Sequence, residues 1–283
     1  MLFPVAFFAI VFIVHAVLYS FTTYYKVTKT PFILLPFDRG RLGEFLTYKN
    51  LRNLEATGAR FLFNLYIPKE DHTTTEIDIL MICAQGLYVF ESKNYSGWIF
   101  GSEDQKNWYQ TLPAGRRKSH KEAFYNPIMQ NKSHIKHLLS FLGEELSCRS
   151  VIVFSDRCTL KKLSVYSHDI SVINRHRVLS AVTSSFSQAE TFLSEDDIDR
   201  LYNKLYPYTQ ASAAVKKQHI DNIHAVAHTA STITKPVTPS CPRCGAKLVL
   251  RTSTKGQHTG NQFWGCSNFP KCRYMQNYIQ PQS

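Results

Sequence analysis

The stretch EIDILMICAQGLYVFESKNYSGWIFG, residues 76–101, decides the fold of the large domain. Its two runs of β-branched and aromatic residues, 76–83 and 87–93, flank a short turn around Gly86 and predict a pair of antiparallel strands. A β-rich run at 60–67 and a wholly apolar run at 151–154 predict further strands, the latter covered on both faces. Together with the helices predicted around them, these strands indicate one mixed α/β domain over residues 38–207.

Three helix starts carry recognisable capping residues. Asp38 can open a helix that Gly58 closes. Asn126 and Pro127 form an N-cap and first-turn pair ahead of an apolar helical pattern. Ser194, with Asp197 three residues later, predicts the last helix of the domain.

The N-terminal residues 2–21 form an almost unbroken apolar run, and no charged residue precedes Lys26. A bilayer span needs about 20 such residues. Because Lys26 and Lys29 follow the run, the positive-inside rule places the bulk of the chain in the cytoplasm. We therefore expect a single-pass transmembrane anchor over residues 1–25, in the inner (cytoplasmic) membrane. A cleaved signal peptide fits less well, because a basic start and a small-residue cleavage site are both missing.

The charge balance predicts an anionic partner. Thirty-three Lys and Arg residues against 21 Asp and Glu residues give a net charge of +12. Such a charge favours nucleic acid or an anionic membrane surface. Residues 208–240 hold few large apolar side chains and are interpreted as a linker. The region from Cys241 onward contains six Lys and Arg residues and no acidic residue, so it is the best candidate for nucleic-acid binding.

Four of the seven cysteines, Cys241, Cys244, Cys266 and Cys272, fall after position 240. Four thiolates form a closed tetrahedral set, which is typical of structural zinc. A segment of about 40 residues buries too little surface to fold alone, so metal binding would supply the missing free energy. We expect a zinc-dependent domain over residues 241–279.

The stretches CPRCGAKLVLRTSTKG and QFWGCSNFPKCRY in this segment resemble the C-terminal zinc ribbon of bacterial type IA DNA topoisomerases. The resemblance implies binding of single-stranded DNA. Aromatic rings among cations are suited to this role, since bases stack on them, although some of these rings are expected to form the ribbon's small core. The candidate nucleic-acid-binding residues are Arg251, Lys255, Phe263, Trp264, Phe269, Lys271, Arg273 and Tyr274. The chain is too short to hold a topoisomerase catalytic body.

Carboxylates and a lysine recur in the large domain as Glu44, Asp78, Glu91 and Lys93. Side chains alternate along a strand, so Glu91 and Lys93 point to the same face. With a two-residue turn, Asp78 lies opposite Glu91 or Lys93. Two carboxylates beside a cation can hold Mg²⁺, which polarises a phosphate and activates water. A solvent-exposed charged strand face is the alternative interpretation of the same spacing.

The segments GEFLTYKNL, TEIDILMICAQGLYVFESKNYSGWIFG and YNPIMQNKSHIKHL resemble the nuclease-related domain, NERD, over residues 38 to about 160. That family is grouped with the PD-(D/E)xK nucleases, so the resemblance implies a restriction-endonuclease-like mixed sheet. The family's site residues fall on Glu44, Asp78, Glu91, Lys93 and Gln130. His134 and His137 are spaced i, i+3 on the same predicted helix and could bind a metal, but we favour the interpretation that they lie on a solvent-facing side of the helix.

Together these observations predict a membrane-anchored, DNA-binding nuclease. Asp78 and Glu91 would hold magnesium or manganese, Glu44 would assist, and Lys93 would orient the attacking water. One alternative is a non-catalytic tether that holds DNA at the membrane. Another is a nuclease acting on RNA, which basic charge alone does not distinguish from DNA.

Overall fold

The computed structural model of the protein describes residues 2–113, 115, 119–189, 192–233, 240–253 and 262–277. The chain divides into two compact units, residues 1–220 and residues 221–283. The larger unit has the predicted mixed α/β architecture. Its helices are α1 (Leu2–Ser20), α2 (Thr23–Thr28), α3 (Arg39–Leu51), α4 (Pro127–Leu142), α5 (Val178–Ser185), α6 (Glu195–Leu205) and the first turns of α7 (Ala213–Ile233). Its strands are β1 (Arg60–Pro68), β2 (Thr74–Cys83), β3 (Gly86–Lys93), β4 (Gly97–Ser102), β5 (Asn107–Pro113), β6 (Ser119–Tyr125), β7 (Cys148–Phe154), β8 (Cys158–Ser164) and β9 (Ile170–Asn174).

The central sheet is five-stranded and mixed, in the order β1-β2-β3-β7-β9. The first three strands are antiparallel neighbours, and β3, β7 and β9 run parallel. The pairing of Cys83 with Gly86 confirms the predicted tight turn, where Gly86 has a φ of 109°. The parallel strands therefore end at a common edge, with Lys93 paired to Phe154 and Phe154 to Asn174.

Helices cover both faces of this sheet. One hydrophobic core lies on the side of α3 and α5 and includes Tyr24, Tyr48, Phe61, Phe63, Phe90 and Val178. The other lies on the side of α4 and α6 and includes Leu62, Leu65, Leu80, Val89, Leu138 and Leu201. A second sheet, β6-β5-β4-β8, encloses a third core around Trp108 and Phe154. The site-bearing strand β3 is thus held by packing on both sides.

The predicted helix starts are confirmed. The Asp38 side chain accepts a hydrogen bond from the Arg41 backbone N–H at 3.0 Å, and Asn126 caps α4 through the Ile128 N–H at 2.9 Å. Ser194 and Asp197 form a reciprocal capping box. These bonds satisfy backbone donors that a helix leaves unpaired at its first turn.

Strand β1 breaks the alternation of its side chains at Asn64. Phe63 packs into the first core and Leu65 into the second. On β2, Ile79 likewise packs into the first core and Ile77 into the second. Asn64 has a φ of 52°, a left-handed conformation that asparagine tolerates better than most residues. The twist directs the Asn64 side chain toward α3, where it contacts the candidate site.

The N-terminal region does not support the predicted transmembrane anchor over residues 1–25. Counting only residues that the structure describes, no helix combines the length and the apolar character needed to cross a bilayer. Helix α1 ends at Ser20, and Thr22 caps the separate helix α2. Tyr19, Tyr24 and Val27 are buried in the first hydrophobic core, so the C-terminal part of the predicted span belongs to the α/β domain.

The segment interpreted as a linker, residues 208–240, contains regular structure. A 3-10 helix spans Tyr206–Gln210, and α7 follows over Ala213–Ile233. At the start of α7, the buried His219 contacts Thr74 of β2 through its Nδ1 atom at 3.0 Å. The first turns of α7 therefore belong to the α/β unit, although their composition is poor in large apolar residues.

The smaller unit contains a three-stranded antiparallel sheet. Its strands are β10 (Leu248–Thr252), β11 (Gln262–Cys266) and β12 (Met275–Asn277), in that order across the sheet. Leu248 and Trp264 form a small core with three of the cysteines, which are Cys241, Cys266 and Cys272. This arrangement fits the predicted ribbon.

Candidate active site and zinc centre

The candidate active site begins where β2 and β3 run side by side. The register pairs Ile79 with Phe90, so the next residues along each strand, Asp78 and Glu91, lie alongside each other. The Ser92 backbone N–H donates to Asp78 Oδ2 at 2.9 Å. The two-residue turn that the sequence predicts thus brings the two carboxylates together, with Asp78 facing Glu91.

Glu91, Lys93 and Gln130 form a continuous contact. Lys93 Nζ lies 2.6 Å from Glu91 Oε1 and 3.1 Å from Gln130 Oε1. The Glu91 side chain is 3% exposed and that of Lys93 is 17% exposed. Strand alternation orients Glu91 and Lys93 to the α4 side, and Gln130 reaches them from the first turns of α4. The structure thus brings these three residues together.

Glu44 approaches from the opposite side, on α3. Its Oε2 atom accepts hydrogen bonds from Asn64 Nδ2 at 2.9 Å and from the Tyr24 hydroxyl at 3.1 Å. Helix α3 packs closely on β3 because it has Gly43 at the contact. A Cβ atom there would stand 3.1 Å from the Asn94 Cβ atom. Asn64 and Tyr24 are contacts that sequence reasoning missed; an asparagine in a β-rich run was the available signal for the first.

The pKa values of the carboxylates in the site are shifted in opposite directions. Burial and the neighbouring Glu91 and Glu44 raise the pKa of Asp78 well above its ordinary value. Burial also raises the pKa of Glu44, to about 7, against the hydrogen bond from Asn64. Burial would raise the pKa of Glu91 as well, but the Lys93 ammonium and His134 beside it lower that pKa to about 2.

Lys93 is a cation in this arrangement. Burial lowers its pKa, but Glu91 and Asp78 outweigh burial and raise the pKa above its ordinary value. A lysine that keeps its proton stabilises negative charge and does not serve as a base. Asp78, whose pKa is raised, lies beside Lys93 together with Glu91, and a further positive charge there would be stabilising.

One further residue belongs to this site. The interpretation that His134 faces solvent is wrong, because its side chain is only 12% exposed. Its buried Nε2 atom lies 3.4 Å from Glu91 Oε2, an ion-pair distance when the ring is protonated. The missed signal is the i, i+4 spacing from Gln130, which places both side chains on one face of α4.

The donor set fits a divalent cation. Asp78 and Glu91 supply carboxylate oxygens, the ligands that Mg²⁺ and Mn²⁺ prefer. In the described part of the chain, however, only the four cysteines form a set of three or more ligand atoms that all lie within 4.8 Å of one another. The residues of the candidate active site do not form such a set, and Lys93 pairs with one Glu91 oxygen.

The cysteine cluster is the second site. Cys241 Sγ lies 3.7 Å from Cys272 Sγ, and Cys244 Sγ lies 3.4 Å from Cys266 Sγ. The turn at Gly245, with a φ of 72°, brings the Gly245 N–H to the Cys241 carbonyl oxygen at 2.8 Å. Four sulfurs at such separations match a closed tetrahedral zinc site.

The predicted nucleic-acid residues of the ribbon divide into two groups. Trp264 is buried and Tyr274 packs against it, so both belong to the core. Phe269 is 58% exposed, and the Arg251 guanidinium lies 5.9 Å from its ring centre. Arg251 also pairs across the sheet with the half-buried Phe263. Lys271 and Arg273 are exposed, and Lys255 lies outside the described residues.

Comparison with known proteins finds a family model for each of the two regions. Residues 39–155 match the family model of the nuclease-related domain, and residues 239–280 match that of the topoisomerase DNA binding C4 zinc finger. An uncharacterized protein of Bacillus anthracis is 30% identical over 190 residues, which are 67% of this chain and 86% of that protein. DNA topoisomerase 1 of Methanocaldococcus jannaschii is 53% identical over 34 residues, which are 12% of this chain and 4% of the topoisomerase. No solved structure matches.

Proposed function

Because the chain belongs to one family with the Bacillus anthracis protein and carries a nuclease-related domain and a topoisomerase-type C4 zinc finger, we propose that it is a DNA-binding, metal-dependent nuclease. The convergence of Asp78, Glu91, Lys93 and Gln130 carries this proposal. Lys93 Nζ contacts both Glu91 and Gln130 within 3.1 Å, beside an aspartate whose pKa is raised.

Asp78 and Glu91 would hold Mg²⁺ or Mn²⁺. When bound, the metal would polarise a phosphate oxygen and lower the pKa of water, as divalent cations do in phosphodiester hydrolysis. Lys93, kept protonated by its carboxylate neighbours, would stabilise the charge that develops on the phosphate and would orient the attacking water. Gln130 holds the Lys93 ammonium from α4. Glu44 assists from α3 at the edge of the same site.

The ribbon would supply affinity for single-stranded or unwound DNA. Its exposed Phe269, with Arg251 beside the ring, offers a stacking surface next to a cation. Lys271 and Arg273 lie near Phe269 in sequence and would contact phosphates. Because base stacking tolerates any sequence, the ribbon would bind without strong sequence preference.

A cleavage assay on the full chain tests this function. Single-stranded, duplex and forked DNA and single-stranded RNA are incubated with Mg²⁺, with Mn²⁺ or with a chelator. We expect metal-dependent cleavage of a DNA substrate that carries a single-stranded region. Tight DNA binding without cleavage under any of these conditions would instead support the non-catalytic DNA tether, and cleavage confined to RNA would identify a ribonuclease.

A further inference from the structure

The outer face of the second sheet, β6-β5-β4-β8, carries aromatic side chains that the core does not use. Side chains alternate along a strand, and Ile99, Trp108 and Phe124 turn inward to the third core. Their neighbours along the same strands turn outward: Trp98 is 52% exposed and Tyr125 is 49% exposed. The core is complete without these rings, and large apolar side chains grouped on an exposed surface are typical of a binding site.

The strand register places four aromatic residues on this outer face. Phe100 of β4 pairs with Tyr109 of β5, and directly paired residues point to the same side of a sheet. Trp98 lies two residues before Phe100 and therefore shares its side. Tyr125 of β6 pairs with Asn107, two residues before Tyr109, so it also shares that side. The four rings thus lie on three adjacent strands of one open surface.

Two lysines lie among these rings. Lys121 Nζ lies 4.0 Å from the centre of the Tyr109 ring, and Lys161 Nζ lies 5.8 Å from that of Trp98. The four strands contain a single acidic residue, Glu122, which follows Lys121 along β6 and therefore points to the other side. The surface is thus positively charged as well as aromatic. We call it the aromatic face, and its residues are Trp98, Phe100, Tyr109, Lys121, Tyr125 and Lys161.

We propose that the aromatic face binds single-stranded DNA, with bases stacked on its rings and phosphates beside its lysines. Proteins bind single strands of any sequence by stacking bases on aromatic side chains among cations, and a four-stranded sheet is one of the surfaces that present such rings. Duplex DNA keeps its bases stacked inside the helix and offers no such contact. The inference goes beyond the proposed function, because it adds a second DNA-binding surface that does not depend on cleavage.

The aromatic face begins close to the candidate active site along the chain. Trp98 follows Lys93 by five residues, which span at most about 18 Å when fully extended. The connection between them is fixed to the second sheet, because Gln110 Nε2 of β5 donates to the Ser96 carbonyl oxygen at 2.7 Å. DNA that stacks on Trp98 is therefore held near the residues proposed to cleave it.

The test maps where single-stranded DNA contacts the full chain. A thymine-rich oligonucleotide that carries 5-iododeoxyuridine is bound without added Mg²⁺ or Mn²⁺ and irradiated, and mass spectrometry locates its crosslinks to aromatic residues. Mapping is needed because the ribbon is also expected to bind, so total affinity does not isolate one surface. We expect crosslinks to Trp98, Tyr109 or Tyr125 in addition to those in the ribbon. The same modified base in a duplex should not crosslink to these residues.

Substitution of Trp98 should affect the whole aromatic face. At subsaturating DNA, Trp98→Ala should lower the crosslinking of Tyr109 and Tyr125 by about tenfold, the scale of one lost base stack, and leave crosslinks in the ribbon unchanged. Trp98→Phe keeps an aromatic ring and should retain most of the crosslinking, which guards against a merely structural effect. Phe192→Ala is the matched control, because Phe192 is 66% exposed but lies outside the four strands.

Three results would overturn the inference: crosslinks confined to the ribbon, crosslinks to Tyr109 and Tyr125 that Trp98→Ala leaves unchanged, or equal crosslinking of the aromatic face by duplex DNA. The cleavage assay remains a separate measurement. Cleavage without crosslinks to the aromatic face would overturn this inference and leave the proposed nuclease intact. Crosslinks to the face without cleavage would support the inference and count against the nuclease.

Discussion

The α/β domain and the zinc ribbon each gather ligand-bearing side chains, but they hold them by different means. In the α/β domain, Asp78 and Glu91 sit on adjacent strands between two hydrophobic cores, and Lys93 compensates part of their charge without a metal. In the ribbon, three of the four cysteines belong to the small core itself. The comparison indicates that the first site is preformed by packing, whereas the second is part of what folds its domain.

Removing zinc should therefore have the largest effect. Cys266→Ser leaves three thiolates, and we expect the ribbon to unfold because metal binding supplies much of its folding free energy. The α/β domain should keep its own unfolding transition. Zinc analysis and calorimetry measure both, with Cys148→Ser in the α/β domain as the control that keeps its zinc. If the ribbon stays folded without zinc, the two regions do not differ in their dependence on metal for folding.

Changes at Lys93 should separate catalysis from binding. Lys93→Ala removes a charge that stabilises the reacting phosphate, so we expect cleavage to fall by about 10²-fold or more. DNA affinity should stay near that of the wild type, because the ribbon supplies it. Cleavage rates and salt-dependent binding are measured on the same preparations. A parallel loss of DNA affinity would mean that the two regions do not divide these tasks.

The stability of the folded protein should depend on the ionisation of the buried Glu44. The folded protein keeps the Glu44 proton up to a pKa of about 7, whereas an unfolded chain releases it near 4.5. Folded protein binds more protons between these values, so the contribution of Glu44 to stability falls as pH rises through the window. Glu44→Gln does not titrate and should gain roughly 2–3 kcal/mol relative to wild type between pH 5 and pH 8. Chemical denaturation at both pH values measures this difference, and a pH-independent difference would contradict the expected burial cost.

Substitutions of two aromatic residues should distinguish DNA binding by the ribbon from its folding. Phe269→Ala should weaken single-stranded DNA binding by about 1–3 kcal/mol, the scale of one base stack, without changing zinc content. Trp264→Ala should instead destabilise the ribbon, because Trp264 is buried in its core. Fluorescence anisotropy and thermal unfolding distinguish the two effects. Equal binding by Phe269→Ala and wild type would exclude Phe269 as a stacking platform.

The smallest expected change comes from the ribbon's cations. Replacing Arg251, Lys271 and Arg273 with glutamine should make DNA binding less salt-dependent. A phosphate that no protein cation neutralises keeps its counterions, so fewer ions are released on binding. The slope of log affinity against log salt concentration should become shallower by about 0.7 for each such phosphate. Titrations at several salt concentrations measure this slope. An unchanged slope would place the phosphate-binding cations elsewhere on the chain.

The sequence predicted those features that depend on local spacing. The two-residue turn fixed Asp78 beside Glu91, and four cysteines in one short segment indicated the metal cluster. It did not predict that Asn64 adopts a left-handed conformation and reaches Glu44, because that contact depends on how α3 packs on the sheet. The burial of His134 was not predicted for a similar reason: its contact with Thr75 joins residues 59 positions apart in sequence.

The interpretation of the N-terminal run shows the limit of composition. Residues 2–21 are apolar enough in sequence to suggest a span. In the structure, Tyr19 near the end of this run and the following Tyr24 pack against Phe45 of α3, with ring centres within 5.5 Å, whereas Phe8 and Ile13 upstream are exposed. Composition alone does not predict which of these residues enter the domain core, because that depends on the packing of α3.

The central claim is that Asp78, Glu91 and Lys93 form a metal-dependent site for phosphodiester hydrolysis. The most direct measurement is single-turnover cleavage of a forked DNA by the full chain in Mn²⁺, comparing wild type with Asp78→Asn. This near-isosteric change removes the carboxylate charge and leaves the ribbon intact. We predict cleavage by the wild type and a loss of about 10²-fold or more in Asp78→Asn, with equal DNA affinity. Cleavage at the same rate by both proteins would contradict the assignment of the active site.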